Sequence, residues 1–146
     1  MNTSDTAIIT TRLIDIPRER VFGAFSDPLQ LAKWWGPEGF TNTFEKFEFR
    51  PGGGWKFVMH GPNGADYPNE SEFLEIVEPE KIVFDHLRPM HHYHMVMTFA
   101  DEGGNTRLTW NMTFQDQAES EKLRDFILKA NEQNFDRLEA HLARFN

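Results

Sequence analysis

The chain has 146 residues, of which 39% are hydrophobic and 14% aromatic, and its formal net charge is −8. This acidity argues against a nucleic-acid partner, which would need a basic face to offset the phosphate charge. The lack of cysteine excludes disulfides, thiolate nucleophiles and cysteine metal sites. The length predicts a single domain over residues 1–146.

No segment has the pattern of an export signal or a membrane anchor. The N-terminus lacks a basic region followed by an apolar one, which argues against a signal peptide. No apolar run approaches the length of a membrane span. We therefore expect a cytoplasmic protein without a membrane span, which also suits the absence of cysteine.

The chain begins with a predicted strand and two short helices. A β-branched run predicts the strand over Ala7–Ile14. Pro17 suits the first turn of a helix, where its missing N–H has no partner to lose. Asp27 and Pro28 then break this helix and begin a second one over residues 29–34.

From residue 41 to residue 114, apolar residues recur at every second position. This period indicates antiparallel strands with one buried and one solvated face. The pattern is interrupted at RPGGG, GPNGADYPN, Glu78-Pro79-Glu80, Arg88-Pro89 and Asp101-Glu102-Gly103-Gly104. Breaks at these spacings predict hairpins joined in a meander.

Residues 118–145 predict one long helix with an apolar stripe in steps of three and four. The stripe comprises Leu123, Ile127, Asn131, Phe135, Leu138, Leu142 and Phe145. Such a helix needs a broad surface, and the sheet is the available one. The predicted class is α+β, with a curved antiparallel sheet wrapped around the helix. If the two do not touch along their whole length, the gap between them forms a pocket.

Three segments combine aromatic residues or methionine with glycine and proline: WWGPEGF, RPGGGW and MHGPNGADYPN, beginning at Trp34, Arg50 and Met59. Turns need glycine and proline for their backbone angles, but they do not need paired tryptophans. Rings held at tight turns indicate either the rim of a cavity or aromatic caps over the core.

These segments, with FLEIVEPEKIVFDH and GGNTRLTWNMTF, look like bacterial domains related to activators of the ninety-kilodalton heat-shock chaperone ATPase. Those domains belong to the START-like (SRPBCC) helix-grip superfamily, and the resemblance runs from about Ile8 to Leu142. It implies a helix-grip fold around a hydrophobic cavity. It implies function less closely, because this superfamily includes lipid carriers, polyketide cyclases and chaperone activators. The chain also lacks room for the separate N-terminal domain of the eukaryotic co-chaperone.

Candidate ligand-binding residues are the large apolar side chains of the predicted inner face, together with one amide. They are Trp34, Trp35, Phe40, Trp55, Phe57, Phe84, Met95, Met97, Trp110, Met112, Asn131 and Phe135. Asn131 interrupts the apolar stripe of the last helix. A buried amide without a partner costs on the order of 1–3 kcal/mol, so Asn131 needs a partner in a neighbouring strand or in the cavity.

Candidate acid or base residues are His86, His60 and Tyr67. His86 shares the parity of Ile82 and Phe84, which predicts an inward position. His60, Asp66 and Tyr67 belong to the predicted MHGPNGADYPN loop, where they would meet near one mouth of the cavity. The alternative is that this loop only shapes a turn.

His91, His92 and His94 lie late in the predicted sheet, and His92 and His94 share one face by alternation. A stable metal site would need a third and a fourth ligand, and His86 or His60 could supply one only if the strands bring them together. The alternative is a solvated, histidine-rich hairpin. We therefore predict no metal site. We also predict no cofactor, because the three glycines before Trp55 lack the ending of a phosphate loop.

Three functions follow from these observations. The first is binding of a small apolar or aromatic molecule in an internal cavity. The second is binding to a heat-shock chaperone, which only the resemblance implies. The third is a cyclase- or hydrolase-like enzyme that uses cavity histidine or tyrosine side chains. The chain is expected to be a monomer or a homodimer.

Overall fold

A seven-stranded antiparallel sheet curves around a long C-terminal helix, with two short helices after the first strand. The computed structural model describes residues 7–88 and 92–144. The elements are β1 (Ala7–Ile14), α1 (Arg18–Ser26), α2 (Pro28–Trp34), β2 (Thr41–Phe47), β3 (Gly54–His60), β4 (Asp66–Val77), β5 (Lys81–Arg88), β6 (Tyr93–Glu102), β7 (Asn105–Phe114) and α3 (Gln117–Arg144). The predicted helix-grip fold class is confirmed.

The strand order is β1-β7-β6-β5-β4-β3-β2. Strands β2 to β7 follow one another as a meander, and each pairs with its neighbour in sequence. Strand β1 joins the far edge by pairing with β7 from Ala7↔Thr113 to Ile14↔Thr106. Every pair is antiparallel, so the inner-face side chains of adjacent strands stand in rows across the sheet.

The two short helices form where the proline signals predict. Pro17 precedes the first residue of α1 and accepts the backbone N–H of Val21 at its carbonyl. Asp27 caps α2 because its side chain accepts the N–H of Leu29 at 3.0 Å, and Pro28 occupies the first turn. This end-to-end arrangement lets α1 and α2 cover one end of the inner face.

Helix α3 matches the predicted long helix, although the predicted stripe residue Phe145 lies outside the described residues. Its C-terminal half packs on β1, α1 and α2 through Phe135, Leu138 and Leu142, which are fully buried. Among the described residues, no helix has both the length and the apolar character needed to cross a membrane.

Arg12 of β1 joins this strand to α3. Its guanidinium donates to Glu132 at 2.6 Å, to Asp136 at 2.8 Å and to Glu139 at 2.6 Å. These carboxylates raise the pKa of Arg12 against the opposing effect of its own burial, which is the largest single influence. One sheet cation therefore holds three like charges on one helix face.

The predicted MHGPNGADYPN loop is shorter than expected, and this part of the prediction is wrong. Strand β4 begins at Asp66, so the turn comprises only residues 61–65. The backbone N–H of Gly61 donates to the carbonyl of Ala65 at 2.8 Å, which closes the hairpin directly after the His60↔Asp66 pair. Glycine, proline and asparagine indicate a turn here, but pairing with β3 extends the strand beyond them.

Candidate functional site

A cavity of about 440 Å³ lies between the inner face of the sheet and the N-terminal half of α3. A loop of residues 35–40, called here the 35–40 loop, closes one side of it. The helix wall consists of Leu123, Phe126, Ile127, Ala130, Asn131 and Asn134. Phe135, Leu138 and Leu142 of the C-terminal half are fully buried, whereas Leu123 and Ile127 of the N-terminal half are half-buried and line the gap.

Nine of the twelve candidate ligand-binding residues line this cavity. They are Trp35, Phe40, Trp55, Phe57, Phe84, Met95, Trp110, Met112 and Asn131. Their rings contact one another in several places. Trp35, for example, lies 5.1 Å from the ring of Trp55 and 5.3 Å from that of Trp110. Contacts of this kind fix the shape of an apolar wall.

The other three candidates lie elsewhere in the core. Trp34 donates its indole N–H to the carbonyl of Ala24 at 3.0 Å, which turns its ring toward α1. Phe135 packs edge-to-face on Trp110 at 4.9 Å, one helical turn beyond the cavity. Met97 stands in the row between Ile82 and Trp110 and is fully buried. All three face inward, but they lie in the part of the core that the short helices and the C-terminal half of α3 fill.

A row of polar side chains crosses the sheet wall of the cavity. Register places Ser71 of β4 beside His86 of β5, and His86 beside Tyr93 of β6. The Ser71 Oγ and the His86 Nδ1 are 3.5 Å apart, and the rings of His86 and Tyr93 stack at 4.7 Å. Burial raises the pKa of the Tyr93 phenol, which is protonated at neutral pH even without this shift.

Sequence analysis missed Ser71 and Tyr93 as members of the site. The signal was present, because Tyr93 continues the alternation of Met95 and Met97 backward by two residues. Ser71 likewise shares the parity of Phe73, which is buried. His86 is buried and faces the cavity, as its shared parity with Phe84 predicts.

His60 and Tyr67 do not meet at one mouth of the cavity, so this expectation is wrong. Tyr67 lines the cavity beside Met59, its partner in register. His60 belongs to the opposite face, where its Nδ1 lies 2.7 Å from Asp66 Oδ1 and its Nε2 lies 2.7 Å from Thr43 Oγ1. Because both segments are strands, adjacent residues point to opposite faces of the sheet.

The late histidines do not gather around one point. His94 lies on the outer face and bonds to Asp85 at 2.7 Å, while the inner face carries its neighbours Tyr93 and Met95. His92 precedes β6, and His91 lies outside the described residues. Within residues 7–88 and 92–144, no group of three or more histidine, cysteine, aspartate or glutamate side chains could hold a metal.

Asn131 finds its partner in the sheet. Its Nδ2 donates to Thr10 Oγ1 at 3.0 Å and contacts Met112 Sδ at 3.5 Å. Two kinds of partner are predicted for this buried amide, a neighbouring strand or a group in the cavity, and the structure shows the bond to the strand. Asn131 therefore ties α3 to β1 at the inner end of the cavity.

The 35–40 loop is held by side chains of α3. Arg137 donates to the carbonyls of Gly36 at 2.9 Å, Pro37 at 2.8 Å and Phe40 at 2.9 Å. Asn134 accepts the N–H of Gly36 at 2.8 Å. Gly36 has a φ of +106°, which favours glycine, and burial lowers the pKa of Arg137. The wall that carries Trp35 and Phe40 is thus pre-positioned.

Several solved structures share the fold along almost the whole chain. A protein from Arthrobacter aurescens has a TM-score of 0.89 at 24% identity, covering 99% of this chain and 90% of that one. One from Mycobacterium smegmatis has a TM-score of 0.87 at 24% identity, with coverages of 99% and 96%. One from Chromobacterium violaceum has a TM-score of 0.82 at 26% identity, with coverages of 94% and 96%. No match was found among curated proteins.

A model of the family described as Activator of Hsp90 ATPase homolog 1-like protein matches residues 15–143. The match includes both short helices, strands β2 to β7 and nearly all of α3. The matched residues include all those that line the cavity. The chain therefore belongs to the Activator of Hsp90 ATPase homolog 1-like protein family, as the sequence resemblance implies.

Proposed function

We propose that the protein binds a small hydrophobic or aromatic molecule in the cavity between the sheet and α3. The observation that carries this proposal is the cavity itself. Its volume of about 440 Å³ lies within the range of small-molecule sites, roughly 300–1,000 Å³. Its walls are mostly aromatic and methionine side chains, interrupted by a small polar row.

The rigidity of the wall supports this proposal. Arg137 and Asn134 fix the 35–40 loop by hydrogen bonds to its backbone. A site whose walls are ordered before the guest arrives loses less conformational entropy on binding. Met59, Met95 and Met112 line the same space and adapt to irregular shapes, which suits more than one guest.

The proposal is tested by native mass spectrometry of protein purified without detergent, followed by analysis of the small molecules released on denaturation. We expect an apolar compound to co-purify, and 2-naphthol to bind saturably to the emptied protein. The variant Ala130→Trp places an indole in the cavity and should abolish both. Ala140→Trp makes the same change on an exposed position of the same helix and should abolish neither.

Bare chain mass in the native spectrum, together with no saturable binding of 2-naphthol, would contradict the proposal. Equal loss of binding in both tryptophan variants would also contradict it, because the site would then not be this cavity. The same spectrum distinguishes a monomer from a homodimer. We further propose a cytoplasmic location, which fractionation of the source cells would test.

Membership in the family favours one alternative, that the protein binds a heat-shock chaperone and changes its ATPase rate. Calorimetry with the ninety-kilodalton chaperone and a measurement of its ATPase rate test this alternative. No heat of binding and an unchanged rate would remove it. Ala130→Trp separates the two functions, because it fills the cavity without altering the outer face of the sheet.

A second alternative is a cyclase-like enzyme that uses side chains of the cavity as acid or base. Of the three candidates from the sequence, His86 and Tyr67 line the cavity, whereas His60 lies on the outer face. Turnover of a polyketide-like substrate should then depend on His86 and Tyr67. Activity that survives His86→Phe and Tyr67→Phe would refute these roles.

A further inference from the structure

The cavity wall carries polar groups but little charge. Among the described residues that line it, there is no aspartate, glutamate, lysine or arginine. Arg137 lies close by, but its guanidinium donates to backbone carbonyls of the 35–40 loop. Burying an ion without a partner is strongly unfavourable, so this wall disfavours a guest that carries a full charge.

The polar groups of the sheet wall are concentrated on three adjacent strands. Tyr67, Asn69 and Ser71 come from β4, His86 from β5 and Tyr93 from β6. The hydroxyl groups of Tyr93 and Ser71 can each donate or accept a hydrogen bond. A hydroxyl or carbonyl group of a guest would find hydrogen-bond partners here.

The opposite walls are apolar or already bonded. Leu123, Phe126 and Ile127 of α3 present hydrocarbon surface to the cavity. The amide donors of the same helix have protein partners, because Asn131 Nδ2 donates to Thr10 and Asn134 Nδ2 donates to the carbonyl one turn back, and Asn134 Oδ1 accepts the N–H of Gly36. Most polar groups that face the cavity therefore lie on the sheet side.

From this one-sided polarity we infer the chemical class of the guest: an uncharged molecule with an aromatic body and a single hydroxyl or carbonyl group. The body lies among Trp35, Trp55 and Trp110, and the oxygen faces the row of Ser71, His86 and Tyr93. Carboxylates of the same shape are rejected. This inference rests on the proposed function and adds a selectivity to it.

Three naphthalenes of similar shape test the inference: 2-naphthol, 2-methylnaphthalene and 2-naphthoate. Their dissociation constants are measured at pH 8. We expect 2-naphthol to bind about five- to tenfold more tightly than 2-methylnaphthalene, the gain from one hydrogen bond. We expect 2-naphthoate to bind more than about tenfold more weakly than 2-methylnaphthalene, because its charge is left unpaired.

The variant Tyr93→Phe assigns the preference to the polar row. It removes one hydroxyl and keeps the ring that stacks on His86, so the advantage of 2-naphthol over 2-methylnaphthalene should fall at least threefold. Thr98→Val is the control, because it removes a hydroxyl from the outer face of the same strand, β6, away from the cavity. It should leave the advantage in place. Ser71→Ala gives a second test in the row if Tyr93→Phe does not fold.

Each result has a defined meaning. Equal binding of 2-naphthol and 2-methylnaphthalene, or tighter binding of 2-naphthoate than of either, overturns the inferred selectivity and leaves the proposed function standing. An equal loss of the 2-naphthol advantage in Thr98→Val and Tyr93→Phe overturns the role of the row. Failure of all three compounds to bind saturably overturns the proposed function, and the selectivity with it.

Discussion

The two halves of α3 have different surroundings. Leu138 and Leu142 of the C-terminal half are fully buried against the rest of the fold. Phe126 of the N-terminal half is 71% exposed, although it borders the cavity, and Leu123 and Ile127 are half-buried. One apolar stripe thus serves as core at one end and as a cavity wall at the other. Stability and binding are therefore separable along a single helix.

The border between the halves is marked by two amides. Asn131 bonds to β1 and Asn134 bonds to the 35–40 loop, so the helix is attached at this point both to the sheet and to the loop. Beyond this border, Arg137 anchors the loop from the packed half. The packed half therefore holds the walls in place, and the N-terminal half leaves the space open.

The largest difference in stability is expected between side-chain truncations in the C-terminal half and in the N-terminal half of α3. Leu138→Ala should lower the free energy of unfolding by about 3–5 kcal/mol, because the side chain is fully buried. Ile127→Ala should cost about 1 kcal/mol, because one side of this residue already borders open space. Urea unfolding of both variants measures the difference. Equal losses would contradict the division of the helix.

Arg137→Met should lower the free energy of unfolding by about 2–3 kcal/mol, because it leaves several loop carbonyls without their charged donor. Binding of 2-naphthol should weaken as well, since the loop forms a cavity wall. Urea unfolding and the dissociation constant report the two effects. The matched change Arg107→Met removes a partly exposed guanidinium that pairs with Glu102 and should change neither measurably.

A smaller effect is expected for His141, which bonds to Gln30 in the packed half. Burial lowers the pKa of His141. The positive charges of Lys33 and Arg144 lower this pKa further, whereas the negative charge of Asp27 raises it. Below its ordinary pKa the unfolded chain therefore takes up a proton more readily than the folded one, so this residue makes the protein less stable as the pH falls from 7 to 5. The His141→Gln variant should lose less stability over this range. This prediction is contradicted if the free energies of unfolding of His141→Gln and of the unchanged protein, measured at pH 5, 6 and 7, change in parallel.

The smallest change in stability is expected for Phe126→Ala, within about 0.5 kcal/mol, because the ring is mostly exposed. Its effect should appear in kinetics, as a faster dissociation of 2-naphthol measured by stopped-flow displacement. Leu29→Ala, at a position that is 77% exposed and away from the cavity, is the control. An unchanged dissociation rate in Phe126→Ala would show that this ring does not limit the escape of the guest.

The fold was predictable because its signals are local. The first strand has the predicted bounds, Ala7–Ile14, and the proline signals correctly locate both short helices. Apolar residues recur with a period of two in strands and of 3.6 in helices. Each period can be recognised in a short segment, and it indicates only which side of that element is buried. That information is sufficient to assign a sheet, a helix and the face along which they meet.

The site was less predictable because it depends on depth and on strand ends. Met97 and Phe135 are inward, as their periods indicate, and Trp34 is buried as well, but no period distinguishes core from cavity along one face. His60 and Tyr67 were paired because Gly61 and its neighbours suggested a loop, whereas two strands place them on opposite faces. Alternation determines the face only once the strand ends are known.

Arg12 has a consequence for the order in which the molecule can fold. Glu132, Asp136 and Glu139 lie three and four residues apart on α3, where like charges repel and destabilise an isolated helix. Their cation is supplied by β1, more than a hundred residues away in the chain. The C-terminal helix should therefore gain its full stability only after the two ends of the polypeptide have met, a non-local step of the kind that slows folding.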